Sequence, residues 1–328
     1  MYTNADISVE DVCYEQEHIH KILNTIHKKF EEYFPRFLET IAGNGVSEVD
    51  FNNLQKKFKV GGGKKKVTSH KRLSNNFIEI IQDSIDDFEK DRDDYIQIFD
   101  MELLEELVED ADTFKSKNLK CECPIIRKTL NNRKAKELDK YRANFSRADS
   151  DWLLEVVTNL CAFADEYYEE YDPDTYEDVE SYEELDMGLL DTEDYTAFGV
   201  IGGGIKTHML YKVYPSIFSN RSRSALWALW FLSDKMSDDC TMDSEFIMID
   251  VDKNFVQQNY FYPYELFSYY AYEIYKMLQE KAEEYDAYID PDYRYVIVVA
   301  FLNFVGEEND DTISVLKMHI KDGGMGYA

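Results

Sequence analysis

Between Asp165 and Asp194 the chain carries fifteen acidic residues and no lysine or arginine. No other feature limits the fold as much, because so charged a segment cannot form a core of its own. It must link folded parts or lie on a surface. Half of the net charge of −30 sits in this stretch. A second segment has the opposite sign: from Lys115 to Arg147 there are eleven lysines and arginines against three acids. The molecule is therefore bipolar rather than uniformly acidic. The two spans either neutralise one another, within the chain or between subunits, or the basic one binds nucleic acid locally.

On this break the 328 residues divide into a helical region over 1–163, an acidic linker or surface segment over 164–195, and a C-terminal α+β domain over 196–328. In the first region Ile19, Ile22, Leu23, Ile26, Phe30, Phe37, Leu38 and Ile41 recur at spacings of three and four, one stripe of a helix. Pro35 is expected to kink or divide it. Gly61-Gly62-Gly63-Lys64-Lys65-Lys66, with Lys71 and Arg72, reads as a flexible basic loop near 61–72. Helical periodicity returns over Asn76 to Leu107 and Trp152 to Phe163.

After the acidic segment, helices are expected over Ile205–Tyr214, over Arg221–Leu232 with Asn220 as N-cap, and over Tyr264–Glu284. Strands are expected at Phe246–Ile249 and Tyr295–Val305, with Thr312–Ile320 pairing against the latter. The class that follows is α+β and predominantly helical. A helical N-terminal region precedes a C-terminal unit with a small mixed sheet packed on helices.

Five cysteines at irregular spacing form no disulfide framework. Met1 to Glu10 is polar, and the longest apolar runs fall short of the ~20 residues a membrane helix needs. A cytoplasmic protein without membrane contact is the expectation.

Three groups of residues carry candidate chemistry. Gly199-Val200-Ile201-Gly202-Gly203-Gly204-Ile205-Lys206-Thr207 looks like a phosphate loop displaced by one residue, since Ile205 separates the last glycine from Lys206. The plain alternative is a glycine turn before a helix, with close backbone packing. Arg221 and Arg223 crowd the start of the next helix, where an anion would offset their opposition to the dipole. That anion is a ligand phosphate or a carboxylate of this acidic chain. Gly203, Gly204, Lys206, Arg221 and Arg223 are thus the anion-binding candidates. Asp243 with Glu245, and Asp250 with Asp252, lie at alternate positions on either side of the expected strand, so each pair could turn two oxygens to one ion; Asp243, Glu245 and Asp250 are the candidate Mg²⁺ ligands. His208, just past the glycine turn, would complete a catalytic set with Asp243, Glu245 and Asp250.

Finally, 25 tyrosines, many between Tyr260 and Tyr275, suit a core stripe on one helix face and a protein-binding surface elsewhere. Two functions follow. The first is an acidic, Tyr-rich interaction protein that needs no cofactor. It binds a basic protein or is a subunit of a multi-protein complex, with homo-oligomer formation a third possibility and nucleic acid met only through the basic spans. By analogy, such chemistry suits phage–host conflict, in defence or counter-defence. The alternative is a Mg²⁺-dependent phosphodiester or nucleotide hydrolase built on the C-terminal domain.

Overall fold

The structure, a computed structural model, describes residues 12–40, 64–235, 245–250 and 255–319. Asp243, Gly61, Gly62 and Gly63 lie outside the described residues. The longer helices are α1 (Gln16–Phe37), α2 (Lys64–Glu89), α3 (Ser150–Glu170), α4 (Gly203–Val213), α5 (Arg223–Leu232), α6 (Tyr264–Glu284), α7 (Arg294–Glu308) and α8 (Asp310–His319). Two strands, β1 (Ile247–Asp250) and β2 (Phe255–Gln258), pair antiparallel with Ile247 opposite Gln258 and Asp250 opposite Phe255. The chain is predominantly helical with this one small sheet among the described residues, as its composition and periodicity imply.

The core is built around α7, which packs against α5, α6, α2 and α1. Tyr295, Val296, Ile297, Val298, Phe301, Leu302 and Val305 are all buried. This run was expected to be a strand. Its β-branched and aromatic residues are equally at home in a helix covered on every side, where no polar face remains to display the 3.6-residue period. Gly306 lets α7 approach α5, since a Cβ there would stand 2.7 Å from the Ser224 hydroxyl oxygen. With α7 a helix, its expected strand partner at 312–320 is helical too, forming α8, and the sheet is antiparallel rather than mixed.

The N-terminal helix α1 packs against α5, α6 and α7, and buries Ile19, Ile22, Ile26, Phe30 and Phe34 there. Pro35 falls in its last turn and does not divide it. Lys64 to Arg72, read as loop, begin α2; lysine and arginine are good helix formers once the three glycines are passed. Helix α5 starts two residues later than expected, with Ser222 as N-cap accepting from the Ala225 amide.

The acidic segment is folded. Its first residues continue α3, Pro173–Glu177 form a helical turn, and Tyr176, Val179, Leu185, Met187 and Leu190 are buried. Tyrosine hydroxyls fasten its backbone. Tyr269 donates to the Glu180 carbonyl at 2.6 Å, Tyr272 to that of Glu177 at 2.9 Å, and Tyr167 to that of Leu185 at 2.7 Å. The tyrosines of α6 are thus core residues, with Tyr264, Tyr269, Tyr270, Tyr272 and Tyr275 buried. The expected tyrosine surface does not form from this helix, because the rings fill the core while the hydroxyls of Tyr269 and Tyr272 reach the covering segment and that of Tyr264 donates to the Ser219 carbonyl at 2.7 Å.

Candidate functional site

The glycine turn is shaped by local sterics. Gly199 has φ +79°, and a Cβ there would meet the Asn144 amide nitrogen at 2.3 Å, so both conformation and space require glycine. Extended Gly202 then leads into α4, whose first residue is Gly203. A Cβ on Gly203 would lie 2.5 Å from Arg221 Nη2 and 2.8 Å from the Tyr260 carbonyl oxygen. This glycine allows a buried guanidinium to pass against the helix end.

Arg221 is 1% exposed. Its Nη1 donates to the Tyr262 carbonyl, its Nη2 to Asp191 Oδ1 at 2.9 Å, and its plane lies over the Tyr264 ring at 5.3 Å. Lys206, one turn into α4, donates to the Leu190 carbonyl and to Thr196 Oγ1 at 2.8 Å, with Asp191 Oδ1 at 3.7 Å. Burial pulls the Lys206 ammonium down to about 8; Asp191 opposes that shift and Arg221 adds to it. The second oxygen of Asp191 accepts from the Tyr264 amide at 2.6 Å, at the first residue of α6, where the helix dipole favours a negative charge. One carboxylate therefore serves two cations and a helix end.

These groups border a cleft of about 420 Å³ where the acidic segment, the glycine turn and the start of α6 meet. Tyr14, Tyr260, Phe198, Phe261 and Glu265 complete much of its wall. Tyr14 donates to Glu265 Oε1 at 2.8 Å. Burial raises the Glu265 pKa, the Tyr14 hydrogen bond opposes the rise, and the carboxylates of Asp191, Glu183 and Asp186 add to it.

Of the anion-binding candidates, Gly203, Lys206 and Arg221 come together here. Gly204 and Arg223 line a separate hollow of about 170 Å³ with His208 and Asn220, and Arg223 is exposed. His208 shares hydrogen bonds with the Tyr95 hydroxyl at 3.1 Å and the Asn220 amide nitrogen at 3.1 Å. Burial, then Lys212, pull its pKa down to about 4, so the ring is neutral near pH 7. Glu245 lies apart from the cleft wall, its Oε2 2.8 Å from His18 Nε2 in a buried pair. Asp250 ends β1, and Asp243 lies outside the described residues. Among the described residues no three His, Cys, Asp or Glu side chains are grouped to hold a metal ion.

Asp191 is the residue that sequence reasoning missed. One acid among fifteen in a run has no distinguishing mark beyond following the apolar pair Leu189-Leu190. Arg221 precedes the N-cap of α5 rather than lying in its first turn, and its counter-charge is a carboxylate of this chain, Asp191; Arg223, in the first turn, is exposed. Glu265 and Tyr14, 251 positions apart, were equally invisible as partners.

Four of the eleven cations of the basic span pair with acids outside segment 165–194: Lys117 with Glu122, Arg127 with Asp94, Lys128 with Asp91, and Arg142 with Asp139. Among the described residues, the ion pairs of the acidic segment are those of Asp191 with Arg221 and Lys206. No helix among the described residues is long and apolar enough to cross a membrane. No protein-family model matches the chain, and neither curated proteins nor solved structures give a significant match.

Proposed function

We propose that this is an interaction protein that presents segment 165–194 as a fixed acidic surface to a basic protein partner or to a basic subunit of a complex. One observation carries the reading. Every acid of that segment except Asp165 is exposed, while its backbone is held by buried leucines and tyrosine hydroxyls. Like charges held close together repel, and a surface that keeps them in place gains when a cation-rich partner neutralises them. Among the described residues the ion pairs of the acidic segment are made with Arg221 and Lys206 rather than with the basic span, which leaves that role open to a second molecule. The hydrolase reading finds less in the cleft, because Lys206 and Arg221 are already bonded to Asp191 and to backbone carbonyls.

The test is a salt-graded pull-down with the full chain and with a variant carrying Glu166→Lys, Glu169→Lys, Glu170→Lys and Asp178→Lys, exposed positions whose side chains cap no helix. The partner should be retained at low salt and lost as the Debye length falls toward ~3 Å at 1 M. The variant should melt as the parent does and fail to retain it. A partner that persists through high salt and through the charge reversal would sink the reading.

A further inference from the structure

The cleft treats its positive and negative groups unequally. Its cations are used up internally, Lys206 on the Leu190 carbonyl and Thr196, Arg221 on Asp191 and the Tyr262 carbonyl. Glu265 is different. It accepts one hydrogen bond, from Tyr14, and pairs with no cation among the described residues. It is half-buried and faces the carboxylates of Asp191, Glu183 and Asp186, a setting that penalises its charge and would be relieved by an incoming cation.

The mouth of the same cleft is apolar. Phe198 is 51% exposed and Phe261 57%, and Leu189, beside the lining residue Gly188, is 55% exposed. Large apolar side chains left in water around a polar pocket mark contact sites. Such surfaces take their energy from a side chain seated in the pocket and an apolar flank that excludes water around it. A volume of about 420 Å³ lies within the ~300–1,000 Å³ range of binding clefts.

We infer that this cleft anchors the basic partner, taking one of its arginine or lysine side chains onto Glu265 while a neighbouring apolar side chain of the partner lies on Phe198 and Leu189. The inference rests on the acidic-surface reading above and adds the recognition element: an Arg or Lys next to a large apolar residue. A free metal or small ammonium ion would leave the apolar rim uncovered, and a nucleic acid would be repelled by Glu265 and by the exposed acids of the neighbouring segment. A basic polypeptide satisfies both halves of the site.

Fluorescence anisotropy with two labelled peptides of equal charge tests this: Gly-Lys-Lys-Arg-Leu-Lys-Lys-Gly, and the same peptide with serine for leucine. The native chain should bind the leucine peptide about tenfold more tightly, corresponding to about 1.4 kcal/mol. Phe198→Ser should erase that preference. Glu265→Gln should weaken both peptides about tenfold, whereas Glu169→Gln, an equal charge change at an exposed site away from the cleft, should weaken them less than about twofold. If the two peptides bind alike to the native chain, or if Glu265→Gln does no more than Glu169→Gln, the anchor is refuted while the acidic surface stands. If neither peptide binds even at low salt, the acidic surface itself is refuted.

Discussion

Two arginines in this protein are wholly buried, and their surroundings differ. Arg221 has a carboxylate at 2.9 Å, a backbone carbonyl and one aromatic face. Arg294, at the start of α7 and 0% exposed, has the rings of Tyr176, Tyr275 and Tyr272 at 4.6, 4.9 and 5.9 Å. Its Nε, Nη1 and Nη2 have no hydrogen-bond partner among the described residues. The first is an ion pair that ties the acidic segment to α4, α5 and α6. The second is a cation packed among tyrosine rings, with the Tyr171 and Tyr275 hydroxyls close by and no carboxylate paired to it among the described residues. Breaking a buried pair strands a charge, whereas removing an unpaired buried cation strands nothing. The same residue type at the same burial therefore carries unequal consequences for stability.

The largest expected effect follows from that difference. Asp191→Ala leaves Arg221 buried without its counter-charge and also removes the acceptor of the Tyr264 amide. It should lower the unfolding free energy by about 3–5 kcal/mol in a urea titration. A loss under about 1 kcal/mol would mean that the Tyr262 carbonyl and the Tyr264 ring suffice, and the two arginines would then be alike.

Next is a pH effect at the partly buried His208. His208 has a folded pKa of about 4 against an ordinary value of 6.5. The unfolded chain takes up a proton first as pH falls, so the stability that this ring contributes is complete above 6.5 and declines between 6.5 and about 4. The slope from this residue should approach 1.4 kcal/mol per pH unit within that window. His208→Gln should flatten the stability profile there, and an unchanged profile would show that the ring is not excluded from protonation.

Gly203→Ala probes the close packing around Arg221. Its methyl group must displace the guanidinium or the Tyr260 carbonyl, and a cost of about 1–3 kcal/mol is expected by thermal or chemical denaturation. The smallest effect completes the comparison. Arg294→Met keeps the volume and removes an unpaired charge, so stability should change by less than about 1 kcal/mol, in either direction. A loss as large as that of Asp191→Ala would show that Arg294 meets a hydrogen-bonding partner in solution.

Much of the fold was legible. The three-and-four spacing placed α1 and the glycine and proline boundaries placed α4 and α6, each to within a few residues, and the apolar run at Phe246 gave β1. The runs at 295–305 and 312–320 misled because β-branched content imitates a strand when a helix is buried on all sides. At the site, Gly203, Lys206 and Arg221 were found from their local chemistry, an interrupted phosphate loop and basic residues at a helix start. Glu245 did not join them, since its partner is His18, 227 positions away.

What the amino-acid sequence determined by itself was the helical character, the separation of charge and the closeness of the glycine turn to two cations, all of which depend on residues near one another in the chain. Only the tertiary structure decided which acid among fifteen meets those cations, that the tyrosines of α6 face inward to hold the acidic backbone, and that Glu265 pairs with no cation among the described residues. Such pairings depend on which distant segments are brought within a few ångströms. In a chain with 66 acids, composition offers many equivalent partners and only packing chooses among them.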